Sequence, residues 1–243
     1  MGRIVIVGAS TGIGYQTAKL FILEGWKTVV AARRTENLQP LKQLNPQNVE
    51  IAMLDITSDN ASQKLLELLN REKTDIYFHV AGIGKHNRNL NNDIEQNTLK
   101  TNGLGFVNCI DTAYNFFKNQ GGGHIAAITS IAGTKGLGAA PSYSATKRMQ
   151  STYLQCLAQL SNMENNNIKI TDIRPGFIKT NLLDSKRNYP LVLNLEKASK
   201  QIFEAVKKQK RIKIIDWKYA IIVFLWKIIP RQIWEKLKID VNN

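Results

Sequence analysis

Ile4-Val5-Ile6-Val7-Gly8-Ala9-Ser10-Thr11-Gly12-Ile13-Gly14 is the stretch on which the fold turns. Four apolar, mostly β-branched residues in a row read as a short strand buried on both faces. The glycines that follow let the backbone turn sharply and approach a bound group closely. A helical pattern over residues 12–24 opens directly from this turn. Its first N–H groups and positive dipole end suit the pyrophosphate of a dinucleotide. A glycine-rich turn by itself is a weak signal; its place between a first strand and a helix gives it weight.

Outward from this motif the same alternation continues. Strand-like runs fall at residues 28–32, 49–54, 76–80, 124–129, 168–173 and 211–215, and helical patterns at 58–71, 93–118, 143–161 and 195–208. The pattern predicts an α/β fold: a Rossmann-like, doubly wound parallel sheet with helices on both faces. No linker or repeat divides it. Residues 1–215 are expected to form one catalytic domain, with 216–243 a basic, tryptophan-rich helical extension of it.

With 243 residues, 43% of them hydrophobic, the chain can build a sizeable core, and 21% charged residues without low-complexity tracts exclude disorder. The formal charge is +14, and from Ser185 onward fourteen lysines and arginines meet only five acidic residues. Such a tail suits anionic lipid, an acidic substrate or a solvated helix face. No nucleic-acid-binding module accompanies it, so nucleic acid is not expected as a partner. Cys109 and Cys156 have neither disulfide-framework nor zinc spacing and are expected to pack in the core. No His/Cys/carboxylate cluster suggests a metal. The N-terminus runs straight into the motif without signal-peptide architecture, implying a cytoplasmic start.

Downstream of the turn stand Asn102, Ser130, Tyr143-Ser144-Ala145-Thr146-Lys147 and Arg174-Pro175-Gly176. With the G-x-x-x-G-x-G spacing of Gly8, Gly12 and Gly14, their order resembles the short-chain dehydrogenase/reductase superfamily from Arg3 to about Ile215. The resemblance implies that Asn102, Ser130, Tyr143 and Lys147 are catalytic. It places Gly8, Ser10, Thr11, Gly12, Ile13, Gly14, Asp55, Ile56, Ala81, Gly82, Pro175, Gly176, Ile178 and Thr180 at the cofactor, Asp55 against the adenine amine. Two departures stand out: Val7 replaces a threonine, and His79-Val80-Ala81-Gly82 replaces N-N-A-G, so Val80 lacks the asparagine's hydrogen bonds. His79 reads as a packed strand-end residue, since the tyrosine already supplies the acid.

Cofactor choice is legible at Ala32-Arg33-Arg34. NAD-preferring relatives carry an aspartate at the position of Ala32, which would repel a ribose 2′-phosphate. Here Arg33 and Arg34 offer guanidinium groups that grip phosphate bidentately, so NADP(H) is the expected cofactor. Tyr143 and Lys147, four residues apart in a helical pattern, share one face. A phenol titrates near pH 10, about three units too high for neutral proton transfer, and a neighbouring ammonium should lower it. By resemblance Lys147 also bonds the nicotinamide ribose, Ser130 holds the substrate oxygen, and Asn102 keeps a water linking Lys147 to solvent.

These readings predict NADP(H)-dependent hydride transfer to or from a carbonyl or alcohol carbon. Apolar residues Phe177, Leu182, Leu183, Leu191, Val192 and Leu193, with the segment 134–141, are candidates for a hydrophobic substrate site or for packing. The rival reading is a non-catalytic NADP(H) sensor or scaffold, which would more naturally have lost Tyr143 or Lys147. The resemblance implies a homodimer or homotetramer built on the helix 143–161, with Met149, Tyr153, Leu157 and Leu160 away from its catalytic face. In the tail, residues 217–239, Trp217, Trp226 and Trp234 accompany Lys218, Lys227, Arg231, Lys236 and Lys238. Its apolar run 220–226 falls short of the roughly 20 residues of a span. It suits peripheral contact with the inner face of a membrane, or packing against protein.

Overall fold

The apolar runs pair side by side in the computed structural model, which describes residues 2–183 and 187–239. The strands are β1 (Arg3–Val7), β2 (Lys27–Ala32), β3 (Val49–Met53), β4 (Ile76–His79), β5 (Gly123–Ile128), β6 (Ile168–Arg174) and β7 (Ile212–Ile214). They form one parallel sheet in the order β3-β2-β1-β4-β5-β6-β7. β1 lies between β2 and β4, with Val7 opposite Ala31 on one side and His79 on the other. The strand order reverses there, and in such sheets ligands bind beyond the carboxyl ends at that reversal.

The helices are α1 (Gly12–Leu23), α2 (Gln39–Leu44), α3 (Ala61–Asn70), α4 (Asn92–Thr98), α5 (Phe106–Gln120), α6 (Pro141–Met163), α7 (Leu195–Lys207), α8 (Trp217–Ile228) and α9 (Arg231–Trp234). Period-two alternation along each strand sends side chains to two separate cores. Val5 and Val7 pack with Leu65 and Leu69 of α3, Phe106 and Ile110 of α5, and Leu154 of α6. Ile4 and Ile6 pack with Phe21 of α1, Leu41 of α2, and Ile202 and Phe203 of α7. Each such side chain taken fully from water contributes roughly 1.5–3 kcal/mol, so both faces hold the sheet.

Three features depart from the expected pattern. α2 was not anticipated, because six residues with Leu41 alone buried carry no helical period. The helix expected over 93–118 is divided: a π-helical turn, Leu99–Gly105, separates α4 from α5. Gly105 lies so close to the strand-end loop that a Cβ there would sit 2.7 Å from the Ile56 carbonyl oxygen. Cys156 is exposed, and only Cys109 packs in the core. Residues 184–186 of the candidate substrate segment and 240–243 of the tail lie outside the described residues.

Candidate active site

The glycine turn makes a shallow cradle at the carboxyl end of β1. Gly8 holds φ +95°, and a Cβ there would stand 2.4 Å from the Ala81 backbone nitrogen. A Cβ on Gly14 would come within 2.2 Å of the Gly8 carbonyl oxygen. Thr11 caps α1 without a side-chain bond to the helix, which leaves first-turn N–H groups and the positive dipole end of α1 available to an anion. Thr180 closes the far side, its Cγ2 3.2 Å from where a Gly12 side chain would begin. Ser10 and Ile13 are half-buried on the turn, while Ile178 is buried and bridges to Leu193. Backbone that cannot admit a methyl group, beside a helix start, fits a dinucleotide pyrophosphate.

Arg33 and Arg34 follow β2 and are exposed at the rim. Beyond β3, Asp55 accepts from the Thr57 N–H at 2.9 Å and its hydroxyl at 2.7 Å. Burial would raise this carboxyl, but the Thr57 bonds and the charges of Arg33 and Lys100 hold it below the usual range. Ile56 turns its side chain into the core. Ala81 is half-buried and Gly82 exposed, and a Cβ on Gly82 would meet Asn102 Oδ1 at 3.2 Å and Lys147 Nζ at 3.6 Å. Gly82 therefore packs directly beside Asn102 and Lys147.

The π-helical turn carries Asn102, fully buried. Asn102 Oδ1 accepts from the Ile83 N–H at 2.9 Å, and its Nδ2 donates to the Ile83 carbonyl at 2.7 Å. The loop after β4 is thus tied to the helix. Ser130 stands at the end of β5, accepting from the Ala132 N–H at 3.1 Å and donating to the Pro175 carbonyl at 3.4 Å. Tyr143 and Lys147 lie on one face of α6, with Lys147 Nζ 5.8 Å from the centre of the phenol ring. Lys147 is buried and donates to the Ile128 carbonyl at 3.0 Å.

The electrostatics correct one expectation. Burial pushes the Tyr143 phenol up from its ordinary value, with a hydrogen bond from Ser130 opposing, so the phenol of the cofactor-free protein is not lowered. Burial also brings Lys147 down to about 8, opposed by the charge of Asp172. His79 is fully enclosed: its Nδ1 meets the Tyr77 hydroxyl at 2.8 Å, and burial, then Lys147, push it down to about 3. It is a neutral packed ring, as its strand-end position suggested.

The structure adds residues that sequence reasoning missed. Gln150 joins Lys147 to Asn102: its Oε1 accepts from Lys147 Nζ at 3.0 Å, and its Nε2 donates to the Asn102 carbonyl at 2.8 Å. Gly84 lies flat against Tyr143, since a Cβ there would be 2.8 Å from the ring. Gly176 lies as closely against Tyr219 of α8. The Tyr219 hydroxyl accepts from the Phe177 N–H at 3.1 Å and bonds the carbonyls of Pro190 and Leu191. Phe177 and Leu193 pack against Ile131, Tyr219 and Val223, while Leu182, Leu191 and Val192 remain exposed. Of the tail tryptophans, Trp234 is buried with its Nε1 donating to the Gly136 carbonyl at 2.7 Å, and Trp226 packs edge-on against it. Trp217 is exposed.

Comparison with known proteins agrees with this geometry. The short chain dehydrogenase family model matches residues 3–190. An uncharacterized oxidoreductase of Listeria monocytogenes is 35% identical over 189 residues, covering 75% of this chain and 76% of that protein. A short-chain dehydrogenase from Sphingobium yanoikuyae, solved in complex with NADPH, superposes with a TM-score of 0.78 at 17% identity, over 98% of this chain and 97% of its own. A bulky-bulky ketone specific alcohol dehydrogenase from Comamonas testosteroni gives 0.77 at 18%, over 98% and 95%. The chain belongs to the short-chain dehydrogenase/reductase superfamily and is an oxidoreductase.

Proposed function

We propose that this chain moves a hydride between NADP(H) and a carbonyl or secondary alcohol carbon of a hydrophobic substrate. The observation that carries the reading is Lys147 beside Gly82, with Tyr143 on the same helix face and Ser130 hydrogen-bonded to the phenol, next to a cradle too tight for side chains. Bound in the cradle, the cofactor would supply the hydride. In the reductive direction Tyr143 gives its hydroxyl proton to the oxygen on which charge develops. Ser130 donates to the same oxygen and holds it against the phenol. Lys147, charged below about pH 8, favours the phenolate left behind. Arg33 and Arg34 support the 2′-phosphate form, as does the NADPH bound by a protein of the same fold. The test is a panel of ketones, aldehydes and alcohols with the purified chain, following nicotinamide absorbance. Consumption of NADPH in preference to NADH, with the preference lost in Arg33→Ala, is expected. Equal use of both cofactors by wild type and variant would remove Arg33 from the argument. Binding without turnover of any substrate would favour the sensor reading.

The reading of a membrane surface is supported by α8. Its inner side, with Tyr219 and Val223, packs over Ile131 and Phe177. Its outer side exposes Trp217, Ile221, Phe224, Leu225 and Ile228, a continuous apolar stripe at helical spacing. No acidic residue stands between Trp217 and Trp234, and Lys218, Lys227 and Arg231 border the stripe. Apolar side chains flanked by cations suit an anionic lipid surface. No helix among the described residues is long and apolar enough to cross a membrane. The protein is expected to sediment with phosphatidylglycerol vesicles, to be released by salt, and to lose binding in Phe224→Glu. Indifference to such vesicles at low salt would assign the stripe to protein packing.

A further inference from the structure

We propose that Gln150 is a positioning residue of this reaction, clamping Lys147 to Asn102 through its side-chain amide. The role rests on the catalytic reading of Tyr143 and Lys147. Gln150 is fully buried in α6, three residues beyond Lys147, beside buried Lys147 and Ser151 and one turn before the core residue Leu154. A glutamine is costly to bury unless both ends of its amide are paired, and here both are. An ammonium only donates and a carbonyl only accepts, so one amide orientation alone serves Lys147 and Asn102 together. Nε2 must face the Asn102 carbonyl at 2.8 Å, and Oε1 must face Lys147 at 3.0 Å.

The clamp has two consequences for the ammonium. Two of its three hydrogens go to Ile128 and Gln150, leaving one for the phenol or a ribose hydroxyl. Lys147 therefore points before any ligand arrives, which removes an orienting cost from binding. A carbonyl dipole facing the charge also offsets part of the burial that drives Lys147 toward its neutral form. Unlike water, an amide does not readily accept one proton while releasing another. The bridge thus joins Lys147 to Asn102 electrostatically without passing protons between them. The contact also ties Asn102 in the π-helical turn to α6, so the amide couples α6 to the segment between α4 and α5.

The test compares wild type with Gln150→Met, of similar shape but without a strong acceptor, and Gln150→Glu, which keeps the acceptor and adds charge. The titration of Lys147 is read by NMR in the cofactor-free, full-length protein carrying 13C-labelled lysine, its signal identified by loss in Lys147→Met. Charged and titratable neighbours of Lys147 are Tyr143 on α6, Asp172 on β6 and His79 on β4, and all stay in both variants. Lys147 is expected to titrate about one unit lower in Gln150→Met and about one unit higher in Gln150→Glu. NADPH affinity, read by fluorescence, should fall about tenfold in Gln150→Met, following the lost orientation. A Lys147 titration that stays put in the variants would overturn the proposal, even if their melting temperatures fell. Should Gln150→Met fail to fold, Gln150→Glu decides by the same measurement. A shifted titration in a protein that turns over no substrate would keep the clamp and refute the catalytic reading.

Discussion

Tyr143 and Lys147 are moved away from their ordinary values in opposite directions by the same burial. Each is driven toward its neutral form, which makes the pair sensitive to pH. Lys147 holds its proton below about 8 and loses it above, so in the proposed mechanism the charge that favours the phenolate disappears as pH rises through that value. Turnover should therefore decline across pH 8, and Lys147→Arg, which stays charged, should move the decline to higher pH if it folds; a pH–rate profile of both proteins checks this. In the proposed mechanism Tyr143→Phe removes only the proton donor. It should lower kcat by 100-fold or more, on the order expected for lost general acid catalysis, while NADPH affinity by calorimetry stays within about twofold. At this scale the motif residues were legible because their spacing is local. Gln150 was not, because its partners Asn102 and Lys147 converge only when α6 meets the π-helical turn.

Among the elements, all seven strands follow from the apolar runs to within about two residues; the inner strands are buried on both faces, and the half-exposed β3 and β7 still carry β-branched residues in short runs. α2 escaped because its length gives no period, and the π-helical turn because the flanking helical pattern runs across it while the hydrogen bonding changes beneath it. The turn from β1 to α1 offers a direct check. Gly14→Ala improves helix propensity by up to about 1 kcal/mol, yet places a methyl group 2.2 Å from the Gly8 carbonyl oxygen. Overpacking against backbone should win, giving a net loss of about 1–3 kcal/mol in urea unfolding. NADPH binding should weaken in parallel. An unchanged midpoint and affinity would show that the turn can widen without cost.

The expected helix-borne self-association is modified by what α6 does inside its own subunit. Leu157 is buried in the core, and Met149 and Tyr153 pack against it, which leaves Leu160 exposed from the four residues named in the sequence. Leu104, on the π-helical turn, adds an exposed apolar side chain. We expect a homodimer or homotetramer using the outer faces of α5 and α6, read as mass by light scattering at micromolar concentration and weakened in Leu104→Glu. The +14 charge opposes association, so the larger mass should be favoured at moderate rather than low salt.

Tyr219 gives the molecule a second consequence, one of heat rather than chemistry. A single ring lies against Gly176, and its hydroxyl ties Phe177 to Pro190 and Leu191, so the loop after β6 is pinned by a helix outside the sheet. Trp217, Phe224 and Ile228 of that helix have apolar surface still in water, and its exposed ends melt more readily than the buried strands. Warming should therefore release the pinned loop before the sheet gives way. Activity is expected to vanish several degrees below the calorimetric melting temperature, and Tyr219→Phe should widen that interval while barely moving the melt itself. Inactivation and melting that coincide in both proteins would mean that loop and sheet come apart together.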